Sequence, residues 1–163
     1  MSWAQTTQRI GTPGITDTDT SAKVPVGTVV SAEHPEYGGG EFIYLKGVAS
    51  TAKGSFVTYA ADDFSTALLA ANAIGSVAVA MSANVANQYG WYQVAGKAIG
   101  KALPAFADNG NVYATATAGS VDDAVVSGDR VKNAKGASAV GTPEAGLAEF
   151  EINRPFVDNG LAA

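Results

Sequence analysis

Apolar and polar residues alternate with a period of two along several short stretches of this chain. In residues 41–49, Phe42, Tyr44 and Lys46 fall on one side, and Ile43 and Leu45 on the other. In 55–60, Phe56 and Thr58 oppose Val57 and Tyr59. In 76–82, Val77, Val79 and Met81 oppose Ala78 and Ala80. In 90–100, Trp91, Gln93 and Ala95 oppose Tyr92, Val94 and Gly96. Successive side chains of a strand point to opposite faces, so each stretch predicts a β-strand. Residues 24–30 are also strand-like, though broken by Pro25 and Gly27, and 31–40 are rich in turn formers. Asp108-Asn109-Gly110 is a turn signal, and 111–119, 122–133 and 148–156 add further short strands. Turns recur about every ten residues, which predicts an all-β domain, a small barrel or a sandwich.

Two segments depart from this rhythm. Residues 62–74 (DDFSTALLAANAI) have helix formers, Asp62 or Asp63 as N-cap and Gly75 as a stop, so they predict the one short helix. A strand and loop is the alternative there. Residues 1–23 are rich in Gly, Pro, Thr, Asp and Ser, with few apolar positions such as Trp3, Ile10 and Ile15. Such a segment cannot bury a face of its own. The chain therefore divides into an extended N-terminal arm, 1–23, ordered only where something holds it, and a β-rich body, 24–163. Trp3 is either a solvent-exposed tail end or an anchor in a neighbouring subunit's groove, since Trp is favoured at interface hot spots.

Composition narrows the chemistry. The chain has 163 residues, with 31 alanines, 19 glycines, one histidine and no cysteine. Disulfides, thiol nucleophiles and Cys-based zinc sites are excluded. Small side chains on alternate strand positions let a second layer approach closely and suit packing against another protein. The net charge of −5 argues against nucleic acid as a partner, whose footprint is a basic patch. Lys97, Lys101, Arg130, Lys132 and Lys135 are spread thinly and read as solvated or subunit-contact charges. The N-terminus lacks the basic and apolar regions of a signal peptide. The uncharged run 64–96 is interrupted by Asn72, Ser76, Ser82, Asn84, Asn87 and Gln88, so it is not expected to span a membrane.

No pattern calls for a catalytic residue, a cofactor or a metal. His34 lies among turn residues without a nucleophile motif. Asp17-x-Asp19, Asp62-Asp63 and Asp122-Asp123 lack the ligand spacing of a calcium loop; the first lies in the arm, the second reads as a cap or turn and the third as a turn. Gly38–Gly40 and Gly96-x-x-x-Gly100-Lys101 lack the full phosphate-loop spacing, and Ala102 stands where Ser or Thr is needed. Tyr89, Trp91 and Tyr92 form the densest aromatic group. An alternating strand buries one of its faces. The outward member of the pair Trp91/Tyr92 is then free to contact a protein or a sugar. The protein-contact candidates are Trp3, Arg9, Ile10, Ile15, Tyr89, Trp91 and Tyr92.

The run 75–98, GSVAVAMSANVANQYGWYQVAGKA, resembles a pattern in small structural proteins of tailed bacteriophages. There, a Val-Ala-Met-type strand leads through a polar turn into Tyr-Gly-Trp-Tyr/Phe-Gln-x-x-Gly. With the arm and the all-β body, the chain is similar to head decoration, or capsid cement, proteins. The resemblance covers 42–103 and weakens outside it. It implies a non-enzymatic virion protein, made in the host cytoplasm. Such a protein binds the major capsid protein on the outside of an icosahedral head, as a homo-oligomer and commonly a trimer. Other virion roles, as a head fibre, a tail component or a carbohydrate-binding module, are the alternative. A small enzyme built around His34 is a third.

Overall fold

The structure is a computed structural model that describes residues 2–6 and 10–160. Twelve strands follow one another, and there is no helix among the described residues. They are β1 (Ala4–Gln5), β2 (Thr18–Asp19), β3 (Val29–His34), β4 (Gly38–Lys46), β5 (Phe56–Tyr59) and β6 (Thr66–Leu68). Then come β7 (Ile74–Ala80), β8 (Tyr89–Lys101), β9 (Asn111–Ala114), β10 (Val121–Asp122), β11 (Arg130–Gly136) and β12 (Leu147–Asp158). All strand pairs are antiparallel, in the order β1-β3-β4-β8-β7-β12-β11-β9-β10, with β5 and β6 continuing from β7 and β2 added to β8. The sheet does not close into a barrel. Of the two expected architectures, the layered one holds.

Strand β8 organises the molecule. Along one edge its first half pairs with β4, from Lys46↔Tyr89 to Gly40↔Gly96. The remaining pairings are taken in succession by β2 at 89–90, β7 at 92–93 and β12 at 95–101. The switch of partners requires the strand to bend, and the β4–β8 register shifts between Glu41 and Phe42. Gly96, two residues beyond the unpaired Val94 of this shift, has φ of 102°, and a Cβ there would lie 2.5 Å from the Gly39 carbonyl oxygen. Only glycine fits both the dihedral and the approach. Gly100 makes room instead, because a Cβ would lie 2.4 Å from the Phe56 ring. The glycines that looked like a partial phosphate loop are a bend and a packing gap.

Three apolar layers result. Phe42, Tyr44 and Trp91 face one, with Val30, Ala32 and Ile15. Ile43, Leu45, Tyr92 and Val94 face a second, with Val57, Ala78 and Ala80. Phe56, Val77 and Val79 point the other way, into the largest cluster, where Phe150 packs edge-on against Phe56 at 5.1 Å between ring centroids. The period-2 alternation is therefore correct, but both faces of β4, β7 and β8 are covered. Ala78, Ala80, Ala98 and Ala148 are 0–1% exposed, so these small side chains serve close approach within the molecule.

The helix expected over 62–74 is not formed. Asp63 Oδ1 accepts from the Ser65 amide (3.0 Å) and hydroxyl (2.7 Å), which closes a turn. Phe64 adopts φ of 55° and Asn72 φ of 63°. Between them, Thr66–Leu68 pairs with β5. Leu68 packs on the second layer while Leu69 is buried in the third. Adjacent leucines facing opposite layers need an extended backbone, and that packing overrides the helical propensity of Ala and Leu.

Candidate functional site

The N-terminal segment is extended, and what holds it is the chain's own body. Ala4 and Gln5 pair with Glu33 and Ala32, and Thr18 and Asp19 pair with Gly90 and Tyr89. Between these pairings Ile15 is buried at 3% exposure. The Trp91 indole N–H donates to the Pro13 carbonyl (3.2 Å), which also accepts from Gln5 Nε2 (2.7 Å). A tight turn fixes the bend, with Gly14 N–H donating to Asp17 Oδ2 (2.7 Å) and Asp17 N–H to Gly14 O (3.0 Å). The buried Tyr44 hydroxyl donates to Asp19 Oδ2 (3.0 Å) and accepts from Lys23 N–H (3.4 Å). Burial, aided by the hydrogen bond to Asp19, pushes this phenol up to about 12. The arm is thus a strap across the first layer.

The strap collects most of the sequence-predicted contact residues. Trp3, half-buried, packs against Phe42 (4.9 Å), His34 (5.2 Å) and Tyr37 (6.4 Å). It is not a loose tail end, because its own body supplies a pocket for it. Ile15, Tyr89 and Trp91 join the same layer. Tyr92 lies on the opposite face, where its hydroxyl meets Asn84 Nδ2 at 2.9 Å. Trp91 and Tyr92 are both fully buried. The expectation that one of them is an outward contact is corrected: β8 is covered on both faces, so neither reaches a partner. Ile10 alone among these residues is fully exposed. Arg9 lies outside the described residues.

The acidic pairs and the histidine are engaged locally. Asp123 Oδ2 accepts from the Ala107 amide (3.0 Å), and Asp122 Oδ1 from the Asp123 amide (2.9 Å). His34 Nδ1 accepts the amides of Glu36 and Tyr37, at 3.1 and 3.3 Å, and its ring stacks on Tyr37 at 4.6 Å. Among the described residues no cluster of His, Asp and Glu has the arrangement of a metal site, and no helix is long and apolar enough to cross a membrane. Several lysines are paired: Lys97 with Glu149 (2.6 Å), Lys135 with Glu151 (3.3 Å) and Lys132 with Asp158. The Lys97 ammonium is held above its usual range by its hydrogen bond to Glu149, and the Asp158 carboxyl below its own by Lys132.

Two surface features escaped the sequence reading. Ile74 (67% exposed) and Phe156 (39%) share an outward face where β7 meets β12, by the register Phe156↔Ser76 and Asp158↔Ile74. No alternation marks them: Ile74 lies between Ala73 and Gly75, and Phe156 between Pro155 and Val157, each near a strand end. The second is a cleft of about 480 Å³ beside Trp3, whose walls include His34, Tyr37, Met81, Gln93 and Glu144. Together with Trp3 these residues come from five separate parts of the sequence, so no local motif announces them. Compared with protein-family models, curated proteins and solved structures, the chain matches none of them.

Proposed function

We propose that this chain is a structural, non-enzymatic virion protein that decorates and braces the outer surface of an icosahedral phage head by binding the major capsid protein. The observation that carries the proposal is where the phage-like run 75–98 falls. It builds β7, the following turn and most of β8, the hairpin to which β2, β4, β5 and β12 attach. A likeness in these buried residues is a likeness of scaffold. The surface adds support. The chain carries exposed apolar side chains at Ile10, Ile74 and Phe156, a pattern suited to contacts that are weak singly and strong when repeated over a lattice. The homo-oligomer, a trimer by the same resemblance, belongs to this proposal, as does a place on the capsid surface.

The test is sedimentation of purified protein with expanded phage heads stripped of their outer proteins, with occupancy read per capsid subunit. Saturable binding is expected, reduced in Ile10→Asp and in the double variant Ile74→Asp/Phe156→Asp, both of which leave the core intact. Deleting residues 1–23 is a poorer test, since it removes the buried Ile15 and the Pro13 carbonyl that Trp91 needs. Absence of binding by the wild-type protein to any head overturns the proposal.

A further inference from the structure

We infer that the cleft beside Trp3 is a binding site for a neutral saccharide. At about 480 Å³ it lies in the range of small-molecule sites, which are concave, partly apolar and set with a few convergent polar groups. Trp3 is half-buried with Phe42 and His34 against it. It is thereby a fixed plate with part of its surface exposed. An aromatic face carries a negative quadrupole. It therefore attracts the weakly positive C–H face of a sugar ring. Met81 and Ile99, both half-buried, extend the apolar wall.

The polar groups select the ligand's charge. The lining carries Lys53 and Lys97 against Glu36 and Glu144. Lys53 is paired with Glu144 at 3.1 Å, and Lys97 with Glu149 at 2.6 Å. With both lysines paired, an anion gains little. Glu36 belongs to neither pair, so the rim carries one carboxylate more than ammonium, which disfavours an anion further and leaves an oxygen to accept from a ligand hydroxyl. Hydroxyl groups suit such a rim, because each donates to a carboxylate and accepts from an ammonium, and hydrogen bonds to charged groups are the stronger kind. The buried Gln93 steadies the base of the cleft, its amide nitrogen donating to the carbonyls of Ala95 (3.1 Å) and Lys97 (3.2 Å). The sequence leaves the outward member of the pair Trp91/Tyr92 open to contact with a protein or a sugar; the exposed aromatic surface at this cleft belongs to Trp3 instead. This inference does not rest on attachment to a capsid: a chain that fails to bind heads can still bind sugar.

The experiment is a titration with a panel of neutral and anionic oligosaccharides, read by tryptophan fluorescence and by calorimetry. Trp91 is fully buried, so a change on binding reports Trp3. Saturable binding of a neutral saccharide is expected. Trp3→Ala should weaken it by about tenfold, the scale of one lost aromatic contact, and Trp3→Phe by less. Glu144→Gln should weaken it several-fold, and Ile10→Ala should leave it unchanged. Circular dichroism identifies any variant that has lost its fold, and Glu144→Gln, at an exposed position, keeps the test open if Trp3→Ala has. The inference is overturned if no saccharide saturates, if folded Trp3→Ala binds as the wild type does, or if anionic sugars bind in preference.

Discussion

At the scale of single residues, Tyr44 shows how burial and a hydrogen bond act together. Its phenol is raised from 10.0 to about 12, chiefly by burial. The fold therefore favours the protonated form. Its contribution to stability is complete below pH 10, the unfolded value, and is lost as pH rises through 12. Alkaline titration followed by tyrosinate absorbance and circular dichroism should show Tyr44 ionising late, together with loss of structure. Tyr44→Phe should remove that part of the alkaline dependence and cost about 1 kcal/mol in urea unfolding at neutral pH, the net worth of one hydrogen bond. Asn84 is a second case. It is fully buried, its Nδ2 bonds the Tyr92 hydroxyl, and its Oδ1 has no hydrogen-bond partner. Asn84→Ala removes one hydrogen bond from that hydroxyl, which Thr66 and Thr51 also bond, and should cost about 1 kcal/mol, measured the same way. The alternation of Trp91 and Tyr92 was legible in the sequence. That both are inside was not, because a period of two says which residues share a face and not whether the second face is covered.

Among the elements, legibility followed the strength of the local pattern. β4, β5, β7 and β8 carry strict alternation and appear where it predicted them. Strands β1 and β2 have only two residues each and are extended because of what they lie on, so nothing local announces them. Segment 62–74 failed for the opposite reason: its local signal was clear and long-range packing outweighed it. Two substitutions test the element-level account. Gly100→Ala places a methyl group 2.4 Å from the Phe56 ring and should destabilise by about 1–3 kcal/mol, as overpacking does. Gly141→Ala meets no atom within 4 Å but has φ of 102°, so it isolates the dihedral cost alone. Ile15→Ala should cost about 2–5 kcal/mol of buried contact, and the loss should fall on the strap first. Trypsin cleavage after Lys23, whose amide is tied to Tyr44, should then accelerate well before global unfolding.

Taken as a whole, the molecule concentrates its apolar packing in the cluster around Phe150, which touches Phe56 and Phe106 at 5.1 and 5.2 Å between centroids. Phe150→Ala should cost about 3–5 kcal/mol. Phe156→Ala, exposed on the same strand, should stay within about 0.5 kcal/mol. Equal losses would mean that the layered account of the core is wrong. The strap has one more consequence, and it concerns time. Every partner it docks on lies later in the chain: Ala4 waits for Glu33, Thr18 for Gly90, and the Pro13 carbonyl for an indole 78 residues away. Synthesis runs from the N-terminus and domains close as units. The segment that leaves the ribosome ahead of the body is therefore among the last to settle. β1 can meet β3 early, whereas the groove that receives Ile15 stays incomplete until Trp91 emerges with β8.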